Sequence, residues 1–291
     1  MTPPELVETD DFINETLDRP LQIVFRDENF VAVFKPAGLI VHRCKSSQAH
    51  EPALLQTLRY QLHRHVFPVH RLDRPTAGLM LFGLSGVAAA KMVDLFTRRM
   101  VAKYYQALVC GSTPETALID KPLSDKSEDD WENSDCHDTH EKDAMTKFQT
   151  LARFELPAEF AASASATNLA TSKPSLVAST ASAVSSFSLL EIKPLTGRTH
   201  QIRRHLSYIG HPIVGDYRHG DIPCNKLVLA KTGVCRMLLT SMRLDFRHPY
   251  SGELQTIVVG RGSEFDLALS KMRNPMSVNR TALPVMELLP K

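Results

Sequence analysis

One carboxylate set among arginines is the most chemically suggestive feature of this chain: His70-Arg71-Leu72-Asp73-Arg74-Pro75-Thr76-Ala77-Gly78. Asp73 falls where an apolar strand, Phe67 to Leu72, meets a Pro/Gly turn. Such turns present side chains at the edge of a scaffold. A guanidinium beside a carboxylate favours its ionised form, which makes Asp73 a candidate nucleophile. The same residues equally describe a solvated surface turn. Two other stretches carry reactive side chains. Lys103-Tyr104-Tyr105 starts a strand just after the basic pair Arg98-Arg99, and Gly197-Arg198-Thr199-His200-Gln201-Ile202-Arg203-Arg204-His205 opens a helix. Helix N-termini and arginines both attract phosphate and carboxylate groups. Together these elements suit an RNA site that reads one extruded base. More ordinary roles compete: helix arginines such as Arg203 and Arg204 commonly face solvent, and a strand tyrosine such as Tyr105 is commonly a core residue with a satisfied hydroxyl.

The remaining candidates for chemistry are weaker. His63 and His65 lie two apart on an expected helix and diverge, while His200 and His205 are five apart, outside same-face spacing. No metal site is therefore expected. A Walker loop, a GxGxxG turn and a nucleophile elbow are all missing from the sequence, so the chemistry is expected to run on side chains without a cofactor. A net charge of +2 gives no global basic field, and any nucleic acid must be held by a local patch. The five cysteines are scattered without a Cys-x-x-Cys and read as reduced thiols of an intracellular protein. Residues 1–20 form an acidic leader without the apolar core of a signal peptide. No apolar run reaches the length of a membrane span. A cytoplasmic protein is expected.

The elements that would position these residues are strand-rich. Leu21 to Phe34 reads as two strands around Asp27-Glu28-Asn29; Lys35-Pro36-Ala37-Gly38 interrupts the second, and Leu39 to Arg43 resumes it. Leu54, Leu55, Leu58 and Leu62 keep helical spacing after Pro52, and Ser85 caps a helix with Ala88, Met92, Leu95 and Phe96 inward. Val101 to Cys110, Phe187 to Ile192, Arg236 to Phe246 and Leu254 to Val259 read as strands. Thr199 opens a helix, with Ile202, Leu206 and Ile209 inward, that stops at Gly210. Residues 125–141 and 158–186 are expected to be exposed, flexible insertions, and residues 261–291 a short helix and tail. Strands with irregularly interspersed helices imply an α+β fold with a mixed, mainly antiparallel sheet. The main body is residues 21–260.

In this order the stretches resemble the RluA-type family of pseudouridine synthases. His70-Arg71-Leu72-Asp73 with Thr76 and Gly78 is similar to that family's catalytic motif, and Lys35-Pro36-Ala37-Gly38 through Val41-His42 to its first motif. Lys103-x-Tyr105 is similar to the tyrosine motif. Gly197 to Arg203, with His211-Pro212-Ile213-x-Gly215-Asp216, is similar to the third. Arg236-Met237-Leu238-Leu239 and His248-Pro249-x-x-Gly252-Glu253 complete the pattern. Within the family, Val41-His42-Arg43, His65-Val66-Phe67, Arg203 to Leu206 and His219-Gly220-Asp221 are similar to members acting on uridine 65 of tRNA. Ala77 and Cys44 stand where serine is common, and residues 158–186 match poorly.

The resemblance implies a pseudouridine synthase fold, with flanking helices and a central active-site cleft. It also implies that uracil is detached, turned and rejoined to ribose through carbon, with no metal or other cofactor. The implied partner is RNA, most simply tRNA, with no membrane and no obligate protein partner. Asp73 would be the nucleophile or the group that starts glycosidic cleavage, with attack on sugar and on base both open. Arg203 would pair with Asp73, and Tyr105 would stack on the uracil with its hydroxyl placed for proton transfer. Arg71 would fill the space left by the flipped base. Leu238 or Leu239 would wall the uracil, and Arg43, Arg98, Arg99, Arg198 and Arg204 would contact phosphates. The same chemistry on ribosomal RNA or another tRNA position, and a non-catalytic RNA-binding protein, are the alternatives.

Overall fold

Apolar strands, the central ones buried on both faces, assemble one ten-stranded sheet, seen in a computed structural model that describes residues 20–43, 52–124, 141–155 and 186–272. In chain order its strands are β1 (Ile23–Arg26), β2 (Phe30–Lys35), β3 (Phe67–Pro68), β4 (Ala77–Gly83), β5 (Ala102–Cys110) and β6 (Thr116–Asp120). After a small separate ribbon of β7 (Leu123–Ser124) and β8 (Glu141–Lys142) come β9 (Met145–Glu155), β10 (Ser186–Pro194), β11 (Leu239–Arg247) and β12 (Leu254–Val258). The spatial order is β1-β2-β4-β11-β5-β10-β9-β6, with β12 on β11 and β3 on β4. Only the β4–β11 pairing is parallel among the described strands. The expected α+β class with a mainly antiparallel sheet is what the structure shows.

The helices are α1 (Leu54–Leu62), α2 (Gly86–Thr97), α3 (Gln201–Tyr208), α4 (Ile222–Thr232) and α5 (Ser263–Ser270). Successive strand residues point to opposite faces, and the core divides accordingly. On one face Tyr105, Ala107, Val109, Leu190, Ile192 and Leu239 pack with Ile202 and Leu206 of α3. Beside them Leu79, Leu81, Leu244 and Phe246 pack under Ala88 and Met92 of α2. The other face buries Leu108, Phe187 and Leu189 against α4 and α5, and Val31, Val33, Met80 and Phe82 against α1. Each of the buried Val, Leu, Ile, Phe and Met side chains contributes about 1.5–3 kcal/mol. The candidate residues Tyr105, Arg203 and Leu239 lie on the face that carries α2 and α3. Among the described residues no helix is long and apolar enough to cross a membrane.

Local chemistry explains the helix ends. The Ser85 hydroxyl accepts the Ala88 N–H at the start of α2, and Asp221 accepts the Cys224 N–H at the start of α4. Gly233, at φ 75°, ends α4 in the left-handed region. Helix α4 was not anticipated, although Asp221-Ile222-Pro223 is a cap followed by a proline tolerated in the first turn.

Several expectations need correction. The strand expected over Phe67 to Leu72 lasts two residues, because the His70 ring, rather than a backbone carbonyl, accepts the Leu81 N–H at 3.0 Å. Leu39 to Arg43 supplies only a bridge from Ile40 to Ala53, since the Lys-Pro-Ala-Gly turn redirects the chain off the sheet. The strand expected from Arg236 begins at Leu239. His63 is the left-handed cap of α1 at φ 51°, and His65 lies beyond the helix. Cys110 and Cys224 are not free thiols but a disulfide; β5 and α4 meet in one apolar cluster and bring their Cα atoms to 6.9 Å. Cys235 is free. The expected insertions lie outside the described residues, except Glu141 and Ser186, as do the leader up to residue 19 and the tail from 273.

The parallel contact of β4 with β11 demands a glycine. Gly78 has φ 112°, and a Cβ there would collide with the backbone carbonyl of Ser241. Gly78→Ala should therefore lose about 3 kcal/mol or more in urea denaturation, or fail to fold. Gly86→Ala, at an open position at the start of α2, should stay within about 0.5 kcal/mol of wild type. Equal midpoints for Gly78→Ala and wild type would remove the constraint.

Candidate active site

Asp73 is placed by contacts that converge from both sides of its turn. His70, three residues earlier, spends its Nε2 on the Leu81 N–H and stacks on Phe96 of α2 with centroids 4.8 Å apart. The Thr76 N–H then closes the turn on the Asp73 carbonyl at 3.1 Å. From the other side Lys35, fully buried at the end of β2, donates to the carbonyls of Pro36 (2.9 Å), Leu39 (2.7 Å) and Arg74 (3.0 Å). Three carbonyls match the three hydrogens of an ammonium. Burial nonetheless lowers the Lys35 amine to about 7, with the Asp73 charge pulling it back upward. The Gly38 N–H also bonds to the Arg74 carbonyl, and Arg74 Nε returns a bond to the Gly38 carbonyl. The Lys35-Pro36-Ala37-Gly38 loop and the Asp73 turn are thus one rigid unit.

Helix α3 supplies the partner. The Gln201 side chain accepts from the Arg198 N–H and from Thr196 Oγ1, and donates to Met145 and Thr146, which pins the helix start beside β9. One turn in, Arg203 is 4% exposed rather than solvated. Its Nη1 donates to Asp73 Oδ2 at 3.3 Å, while Nε and Nη2 grip Asp216 at 2.7 and 2.9 Å. The Asp216 carboxylate also accepts the N–H groups of Arg218 and His219. Burial opposes ionisation of Asp216, but the Arg203 bond and these N–H groups outweigh it and hold the carboxyl below its ordinary value. Burial likewise opposes the Arg203 charge, and its carboxylate partners overcome that and raise it. His200 caps the helix start, its Nε2 3.9 Å from Asp73 Oδ2 and its Nδ1 3.0 Å from His219 Nε2.

Asp73, Arg203 and His200 face a cavity of about 700 Å³, a volume suited to a small ligand. Arg71, Asp73, Tyr105, Arg203 and Leu239 all line it, as do Arg99 and Arg198. Burial raises the Tyr105 phenol well above its ordinary value, and the Asp73 charge adds to this. Other expected contacts do not come together. Leu238 points into the core cluster of Leu108 and α4 on the opposite sheet face, so Leu239 alone of the pair meets the cavity. Arg43 is exposed outside the cavity lining. Arg98 is an exposed residue paired with Asp94 at 3.3 Å, one turn back on α2. Arg204 bonds to the carbonyl and hydroxyl of Ser124 at 2.8 and 3.2 Å, away from the cavity.

Sequence reasoning assigned no role to Lys35, Asp216, His200 or Lys103. All four lie in matched motifs, so their positions were visible while their contacts were not. Lys103 shares the cavity face with Tyr105 by strand alternation, and burial together with the Arg99 charge lowers its amine to about 8.

Residues 29–208 match the family model for RNA pseudouridylate synthase. The chain belongs to this family. It is 37% identical over 240 residues to the tRNA pseudouridine synthase C of Vibrio cholerae, covering 82% of this chain and 91% of that protein. It is 38% identical to the protein of the same name from Haemophilus ducreyi (82% and 89% covered) and 33% identical to that of Salmonella typhimurium (86% and 89%). Two human structures share the fold. RNA Pseudouridylate Synthase Domain Containing 1 superposes with a TM-score of 0.65 at 23% identity, covering 91% of this chain and 92% of that one. RNA Pseudouridylate Synthase Domain Containing 4 gives 0.63 at 24%, covering 94% and 100%.

The enclosure of this pseudouridine synthase site makes it acid-sensitive. Burial, with the Lys103 charge adding, pushes His70 down from 6.5 to about 3. Between those values the unfolded chain binds a proton that the native state refuses, so stability falls as the pH drops below 6.5. His70 alone supplies a slope of up to about 1.4 kcal/mol per pH unit. His200, lowered to about 4 chiefly by burial, adds a slope of the same sign. His70→Gln, whose amide oxygen can accept the Leu81 N–H without titrating, should show a shallower loss between pH 6 and about 4 in urea titrations. An unchanged slope would exclude His70 as the source.

Proposed function

We propose that this pseudouridine synthase isomerises uridine 65 of tRNA and that Asp73 starts the reaction. The observation that carries the catalytic part is the Arg203–Asp73 pair at the wall of a cavity that Tyr105 also lines. The tRNA part is supported by the printed names of the relatives, which span most of both chains. The position is supported by the matching segments around His42, His65, Arg204 and His219.

The reaction breaks the bond from ribose C1′ to uracil N1 and forms one from C1′ to C5. A proton leaves C5 and one is gained at N1, with no net oxidation. Within it Asp73 acts at the ribose or the base to start glycosidic cleavage, oriented by a charge-assisted bond from Arg203. Tyr105 stacks on the extruded uracil and offers its hydroxyl for proton transfer; its raised pKa keeps it a phenol until that step. Arg71 occupies the space that the base leaves. Extrusion costs a few kcal/mol, which stacking at about 1–3 kcal/mol per base and phosphate contacts from Arg99 and Arg198 offset. Leu239 supplies the apolar wall.

Mapping pseudouridine in tRNA and ribosomal RNA from a deletion strain tests the target. Loss confined to tRNA position 65, restored by the wild-type gene and not by Asp73→Asn, is the expected result. Loss at a ribosomal site instead would reassign the substrate, and restoration by Asp73→Asn would remove Asp73 from the chemistry.

Tyr105→Phe separates stacking from proton transfer. The variant should bind tRNA as wild type does and lose at least about 100-fold in kcat. Full turnover would leave Tyr105 a stacking platform only.

A further inference from the structure

We propose that His219 is a positioning residue for this reaction: it fixes the tautomer of His200, so that His200 presents an Nε2–H to Asp73 as a second donor beside Arg203. The inference rests on Asp73 being the reactive group. It begins from two ring nitrogens, His200 Nδ1 and His219 Nε2, 3.0 Å apart with ring planes at 69°. A hydrogen must lie between them, on one ring or the other. If it belonged to His200, the neutral ring would aim a bare Nε2 lone pair at the Asp73 carboxylate oxygen 3.9 Å away. If it belongs to His219, the single hydrogen of His200 sits on Nε2 and faces that oxygen. Electrostatics select the second arrangement.

The surroundings hold it there. Burial lowers His200 to about 4; Asp73 pulls the other way, while Arg203, His219 and Arg218 add to the lowering, so the ring is neutral and carries one hydrogen at neutral pH. His200 also accepts a left-handed backbone, φ 53°, at the start of α3. His219 is fixed through its own N–H, which donates to Asp216 Oδ1 at 3.0 Å. A Cβ on the next residue, Gly220, would collide with the Asp216 carbonyl, so only glycine permits this tight return. Asp216 therefore orients both donors of Asp73: Arg203 directly, and His200 by way of His219. Both donors approach Oδ2, which leaves Oδ1 to meet the substrate. The 3.9 Å separation is longer than a hydrogen bond, as active-site contacts often are before substrate closes them.

Long-range proton–nitrogen NMR of the histidine-labelled protein, with His200 assigned by loss of its signals in His200→Gln, tests the tautomer without any RNA. The expected result is a hydrogen on His200 Nε2 in the wild type. A hydrogen on Nδ1 would overturn the proposal, whatever His219→Phe does. His219→Phe keeps the ring and removes the donor; it should reduce kcat on the order of tenfold with KM for tRNA unchanged, and His219→Gln should recover most of the loss. Wild-type kcat in His219→Phe would overturn the proposal, as would a loss that His219→Gln fails to recover. These failures are distinct from failure of the Asp73 assignment, which an active Asp73→Asn would reveal on its own.

Discussion

The bidentate grip of Asp216 on Arg203 is the contact that the site depends on. A guanidinium only 4% exposed costs several kcal/mol to desolvate, and one carboxylate at 3.3 Å, itself partly open to the cavity, cannot repay that. Asp216 can, because its own side chain is almost wholly enclosed and its Oδ1 also accepts two backbone N–H groups. With Asp216 accepting from Nε and Nη2, Nη1 is left to donate to Asp73, so each guanidinium nitrogen has an acceptor. Removing Asp216 would strand the buried cation, a loss of about 3–5 kcal/mol. Helix α3, the 213–220 return and the Asp73 turn therefore stand or fall as one electrostatic unit.

A second unit lies on the far side of Asp73. Lys35 sits where β2 runs out of sheet partners, and its amine gathers three carbonyls that would otherwise be buried acceptors at the break. One of them belongs to Arg74, immediately after Asp73, so the first motif holds the backbone of the Asp73 turn while Asp216 and Arg203 hold its side chain. The two motifs are far apart in sequence and share no side-chain chemistry. The geometry of this fold couples them: one amine satisfies carbonyls of both loops. Gly78 completes the frame by letting β4 approach Ser241 of β11 closely enough to set the turn beside Tyr105.

Much of this was legible in the residues. Apolar, strand-forming runs gave β1, β2, β5 and β10, helical spacing gave α1 and the Ser85 cap gave α2, all close to their observed bounds, and the order of motifs singled out Asp73, Tyr105 and Arg203. What was not legible depends on register and on long-range pairing. Leu238 and Leu239 are chemically alike and adjacent, and only the phase of β11 against Ala107 decides which one faces the cavity. Arg203 and Arg204 differ by one position on a short helix, yet one is buried against two carboxylates while the other reaches Ser124. Strands β6 and β9 mix charge with apolar residues and carry no clear turn signal. The disulfide joins positions 114 residues apart, and nothing in cysteine spacing could have paired them. His70 looked like part of a strand because its neighbours are apolar, whereas its ring is what ends the ladder.

The same distinction explains why a net charge of +2 says little about an RNA enzyme. Charge that the fold cancels cannot attract a phosphate. Arg203 is more than offset by Asp216 and Asp73, Arg98 is paired with Asp94 and Arg153 with Glu115, so they add little positive field outside the protein. Arg71, Arg99 and Arg198 line the cavity from three different segments, and Arg198 spends its Nε on a neutral backbone carbonyl rather than a carboxylate. A polyanion approaching this face therefore meets cations whose charge is not already spent, although the whole chain is nearly neutral. In the proposed reading the arginines divide their work by burial: exposed ones set affinity and its salt dependence, and the buried one sets the geometry of Asp73. A change at Arg198 should then act on binding and a change at Arg203 on turnover, because each charge is felt only where the protein leaves it uncompensated.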